Sequence, residues 1–199
     1  IQEYNKKAFE QIKRDTGYSD GKAKEFHNAL LEYFGGDYET ILAGENNTAQ
    51  IIRNGMDLLP TYKGSIYRGM IFKSENIKMF SELKPGDILP NKGIIESWTS
   101  NNRTAISFGG IKSYERSSVI LECIDNKTGV GVQHISKFGD REAEVLTSAT
   151  YEVVDIVIEN KFDYLSNHKE LLWFPEDLED EKTTMKGNIV CRIKVKEKN

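Results

Sequence analysis

Arg141-Glu142-Ala143-Glu144-Val145-Leu146 is the stretch on which the fold of this chain turns. Two glutamates stand one residue apart, and an apolar Val-Leu pair follows at once. In an extended strand successive side chains alternate between faces, so the pattern predicts that Glu142 and Glu144 point the same way. Their Cα atoms would lie roughly 6.5–7 Å apart at a rise of about 3.3 Å per residue. Carboxylates that close raise each other's pKa, because ionising both costs Coulomb energy. Such a pair contributes little to folding. Alone, it reads as the solvated face of an edge strand, where charge discourages sheet-to-sheet association. Two other parts of the chain supply what a working carboxylate pair requires.

The chain has 199 residues, enough for one sizeable domain with a buried core. Its net charge of −4 argues against a general nucleic-acid binder, which would carry a basic surplus. No apolar run approaches the roughly 20 residues that cross a bilayer, so no membrane span is expected. Ile1-Gln2-Glu3-Tyr4 lacks the charged-then-apolar layout of a signal peptide, and the chain begins at Ile rather than Met. The expectation is a mature or excised domain. Cys123 and Cys191 each sit in an apolar strand-like run, 119–124 and 189–195, without metal-ligand spacing. Two buried free thiols are expected, with a bridge between neighbouring strands as the alternative. His27, His134 and His168 are scattered, and no metal site is expected.

Outward from the glutamates, the chain has a helical beginning and a strand-rich remainder. Over residues 1–63, Tyr4, Ala8, Phe9 and Ile12 recur at helical spacing, and Ala23, Phe26, Ala29, Leu30 and Phe34 mark a second amphipathic face ended by Gly35-Gly36. Ser19 or Asp20 caps that second helix, and a third covers 48–56. Over 64–199, short β runs are predicted at 65–70, 119–124, 131–135, 145–150, 151–158 and 189–196, with a short helix through Phe108 and a turn at Lys84-Pro85-Gly86-Asp87. Residues 136–140 read as a loop feeding the glutamate strand. The fold class is α+β in a single domain, a helical lobe over 1–63 and a β-rich core over 64–199.

Three separated fragments line up in this frame: Tyr67-Arg68-Gly69, then Ser97-Trp98-Thr99-Ser100, then Glu142-Ala143-Glu144. In that order the chain resembles the toxin-type mono-ADP-ribosyltransferases, in particular the arginine-modifying branch with its Arg/Ser/Glu-x-Glu signature. The resemblance covers most of the length. Its weak point is the middle motif, where the family shows Ser-Thr-Ser. Either Ser97-Trp98-Thr99 or Trp98-Thr99-Ser100 fills that place, and Ser97 is favoured because Trp98 offers no hydroxyl.

The resemblance implies a core of two roughly perpendicular β-sheets with the N-terminal helices packed on it and NAD, the substrate, in a cleft. It implies no metal. With no G-x-G-x-x-G after a strand, a doubly wound nucleotide domain is not expected. Breaking the bond from nicotinamide to ribose develops oxocarbenium character, which a carboxylate stabilises. By the family pattern that carboxylate is Glu144, oriented by Ser97. Arg68 offers a planar fork for the pyrophosphate, and Tyr67, Gly69, Ser97 and Thr99 join it in holding NAD. Glu142 meets the acceptor, binding a guanidinium and helping to remove its proton, with Phe138 in the preceding loop touching the target protein. The implied function is transfer of ADP-ribose from NAD to an arginine of a protein partner; the sequence leaves open a secreted toxin, a phage-encoded protein acting in a host cytoplasm, and a part of a larger chain. The alternatives are an NAD glycohydrolase on the same site and a non-catalytic phage structural or binding module.

Overall fold

The structure, a computed structural model, describes residues 3–37, 46–91, 93–136 and 139–198. In chain order its main elements are α1 (Glu3–Thr16), α2 (Asp20–Glu32), α3 (Asn47–Met56), β1 (Ile66–Phe72), β2 (Glu96–Thr99), α4 (Asn102–Phe108), β3 (Ser117–Cys123), β4 (Val130–Gly131), β5 (Glu144–Thr147), β6 (Tyr151–Asn160), α5 (Lys161–Ser166) and β7 (Ile189–Glu197). The strands pair in mixed parallel and antiparallel fashion. The chain forms two compact units, each discontinuous in sequence. The first takes Ile1–Lys63, Gly93–Trp98 and Lys127–Ala149, and the second takes Gly64–Lys92, Thr99–Asn126 and Thr150–Asn199.

In the first unit, Ser19 caps α2 by accepting from the Lys22 N–H, and Asn46 caps α3 by accepting from the Ala49 N–H at 3.0 Å. Ala23, Phe26, Ala29 and Leu30 recur every three or four residues and turn one face of α2 inward. A Cβ at Gly55 of α3 would strike the Phe26 ring, so the two helices owe their close approach to that glycine. Ile12, Phe26, Leu30, Ile52, Ile95 and Leu146 are among the residues that fill the core. Each large side chain so buried contributes about 1.5–3 kcal/mol. Past α2 the chain makes a π turn, Tyr33–Asp37, and leaves it through Gly36 at φ 102°. Strand β5 lies between β4 and the first residues of β2, with Val130 opposite Leu146.

The strand expected over 131–135 is shorter than its apolar content indicated. It ends at Gly131, and the chain then turns, the N–H groups of Ile135 and Ser136 both donating to the Val132 carbonyl. Val132 and Ile135 are three residues apart, and a turn buries both where a strand would bury one.

In the second unit β3 pairs antiparallel with β1, placing Arg68 opposite Leu121, and parallel with β7, which in turn pairs antiparallel with β6. Both cysteines are free and buried, and burial pushes each thiol up to about 11. Lys161, at the start of α5, is fully buried. Its ammonium donates to the carbonyls of Gly110, Ser113 and Arg116 at 2.7–3.0 Å and to the Ser118 hydroxyl at 3.3 Å. Trp173 stands 79% exposed, with the Lys112 ammonium over its ring.

Candidate active site

Glu144 opens β5 and is 8% exposed, in a strand whose four residues are all buried. The Ser97 hydroxyl, from β2, donates to its Oε1 at 2.6 Å, and Ser136 supplies a second side-chain hydrogen bond. Strand alternation sends Trp98 the other way, into the core at 2% exposure. Of the two hydroxyl registers, Ser97-Trp98-Thr99 is therefore the one whose leading serine reaches the glutamate.

The two glutamates do not share a strand face. Glu142 ends a helical turn, Gly139–Glu142, Ala143 takes a left-handed conformation at φ 44°, and the strand starts only at Glu144. The expectation of an extended Glu-x-Glu stretch is corrected here, and of the loop expected over 136–140, Gly139 and Asp140 open the helical turn while 137 and 138 lie outside the described residues. Alternation specifies a strand only where a ladder partner is available. Here pairing starts with Glu144, whose carbonyl accepts from the Val132 N–H at 2.9 Å. Residues before it turn away.

Burial pushes the Glu144 carboxyl above its ordinary range, and the charge of Glu142 adds to the rise. The hydroxyls of Ser97 and Ser136 pull the other way by stabilising the ionised form. A carboxylate in this setting is poorly hydrated and strongly directional, suited to stabilising a developing positive charge.

Tyr33 was not singled out by the sequence, yet its hydroxyl lies 2.9 Å from Ser97 Oγ. Its spacing from Phe26 and Leu30 marks the inward face of α2, but that pattern carries no sign of a hydroxyl role. Ser136 lies in a stretch with no local signal at all.

The second unit holds the remaining sequence-derived residues. Tyr67, Arg68 and Gly69 are consecutive on β1, all half-buried, and Tyr67 pairs with Thr99 at the end of β2. A Cβ at Gly69 would run into the Ala105 carbonyl of α4, so that glycine is required by the packing of a helix on its strand. Phe138 lies outside the described residues.

The sequence matches no protein-family model and no curated protein. Solved structures do match. The Vis toxin, an ADP-ribosyltransferase from Vibrio splendidus, superposes with a TM-score of 0.54 at 16% identity, covering 98% of this chain and 83% of that one. The fold is that of ADP-ribosyltransferase toxins. Plx2a, an ADP-ribosyltransferase toxin from Paenibacillus larvae, gives 0.55 at 12% identity over 100% and 94% of the two chains. Exoenzyme S from Pseudomonas aeruginosa, solved with human 14-3-3 protein beta and bound to carba-NAD, gives 0.54 at 15% identity over 99% and 84%. Among the described residues no helix is long and apolar enough to cross a membrane.

Proposed function

We propose that this chain is a mono-ADP-ribosyltransferase that moves ADP-ribose from NAD to an arginine of a target protein and releases nicotinamide. The observation that carries it is the buried Glu144 carboxylate held by Ser97, within a toxin-type transferase fold. The bond between nicotinamide nitrogen and ribose C1′ breaks, its electron pair leaving with nicotinamide. Glu144 stabilises the oxocarbenium ion that remains. A guanidinium nitrogen attacks C1′, and Glu142 takes the proton it sheds. Arg68 grips the pyrophosphate, with Tyr67, Gly69, Ser97 and Thr99 completing the hold on NAD, and Phe138 touches the target. The reading carries with it two crossed sheets, an NAD cleft, and action in a host cytoplasm as a secreted toxin or phage-encoded modifier.

Arginine as the acceptor rests on the second glutamate, and it agrees with a Vis structure solved with agmatine, a guanidinium compound. Incubation with labelled NAD and a cell lysate, followed by mass spectrometry, is expected to place the label on arginine. Label on other side chains alone would reject the acceptor assignment. The displacement of Glu142 from the strand favours one second reading, NAD hydrolysis with water as acceptor, in which nicotinamide forms and no protein is labelled.

A further inference from the structure

We infer that Tyr33 is a positioning residue, the outer link of a hydrogen-bond chain from Tyr33 through Ser97 that holds the Glu144 carboxylate ionised and fixed in direction. That this carboxylate serves a ribose rests on the function proposed above; the chain itself does not.

A serine hydroxyl has one proton. Ser97 gives its proton to Glu144 at 2.6 Å, so the 2.9 Å contact between Ser97 Oγ and Tyr33 Oη has the tyrosine as donor. Donors in series polarise one another, and a phenol feeding a serine that feeds a carboxylate strengthens the inner bond. Tyr33 is 5% exposed, so water does not replace it readily. Its place is set by the backbone. Its N–H donates to the Ala29 and Leu30 carbonyls as the last turn of α2 closes, and the chain departs through the π turn beyond. Burial, and after it the charge of Glu142, opposes ionisation of Glu144; the Ser97 and Ser136 hydroxyls favour it. Loss of the phenol hydroxyl weakens the favourable side.

Tyr33→Phe keeps the ring and removes the hydroxyl. The decisive readout is the titration of Glu144, followed by carboxyl 13C NMR in glutamate-labelled protein and assigned with Glu144→Gln. The midpoint is expected to move up by about half a pH unit or more. Single-turnover nicotinamide release is expected to fall roughly 3- to 10-fold, the size of one hydrogen bond, with KM for NAD little changed. Its acid limb should move with the NMR midpoint. In Ser97→Ala the chain is already cut, so adding Tyr33→Phe should move the midpoint no further. An unchanged midpoint in Tyr33→Phe, or equal shifts in both backgrounds, overturns the inference. If Tyr33→Phe does not fold, Ser97→Ala decides through the Tyr33 hydroxyl proton: exchange unchanged from wild type overturns the chain, faster exchange supports it. A wild-type protein without NAD cleavage but with the expected titration shift would end the proposed function and leave the chain standing.

Discussion

Two buried charges, one in each unit, are treated in opposite ways. Lys161 has three protons to give and four oxygens placed to take them, so its donor capacity is exhausted inside the protein. Among the described residues Glu144 accepts from Ser97 and Ser136, two of the roughly four acceptor positions of a carboxylate. It also has a like charge, Glu142, acting on it. The lysine is a saturated clamp holding 110–118 against α5. The glutamate keeps capacity in reserve and bears an electrostatic cost, which the proposed function asks of a group meeting a charged substrate and which a group that only holds a fold together does not need.

The comparison breaks most visibly at Glu144. Glu144→Gln is expected to lower nicotinamide release by roughly 100-fold or more, measured in single turnover. It should leave the melting temperature unchanged or raised. Because the folded carboxyl titrates above its ordinary 4.5, its stabilising contribution is complete below that value and is lost as pH rises through the folded pKa. The variant should therefore flatten the acid side of the stability curve. A large loss of stability at neutral pH would mean that Glu144 is a structural clamp like Lys161.

Lys161→Met should show the reverse balance. Stranding three carbonyls is expected to destabilise the second unit by about 3 kcal/mol or more, read from denaturant midpoints. Burial lowers the Lys161 ammonium from 10.5 to about 8. Between those values the unfolded chain binds a proton that the folded chain has given up, so this residue makes stability rise with pH across that window. Lys161→Met should abolish that rise; its persistence would show that another group is responsible.

Glu142→Gln tests whether the second carboxylate belongs to the acceptor. Transfer to arginine should fall roughly tenfold or more while NAD hydrolysis persists. Equal loss of both would assign Glu142 to NAD cleavage itself. The smallest effect is expected at Ala143. Glycine takes φ 44° without the roughly 1–2 kcal/mol penalty of a side chain, offset by its greater freedom when unfolded, so Ala143→Gly should change stability by about 1 kcal/mol or less. Ala143→Val should be clearly destabilising.

The helices were legible because Ala23, Phe26, Ala29 and Leu30 repeat at the period of the element they form, and of the two caps the sequence offered, Ser19 and Asp20, the structure uses Ser19. The serine and glutamate that meet were legible only through the resemblance, whose order of three motifs implied that Ser97 orients Glu144; alone, the glutamates read as a solvated edge strand. Whatever depended on a distant neighbour was not. Glu142-Ala143-Glu144 alternates like a strand, and only the start of pairing at Glu144 shows that the chain turns there. Gly69 gives no hint that a helix carbonyl occupies the space of its missing side chain. Lys161 looks like any solvated lysine until residues 43 to 51 positions away converge on it.

The chain's two tryptophans give these experiments an optical handle. Trp98 is sealed in the core one residue from the Ser97 hydroxyl, whereas Trp173 stands open to solvent. A water-soluble quencher such as iodide should darken the second and spare the first. The residual emission then belongs to the strand that carries Ser97, and the NAD binding proposed above is expected to change it without an attached dye.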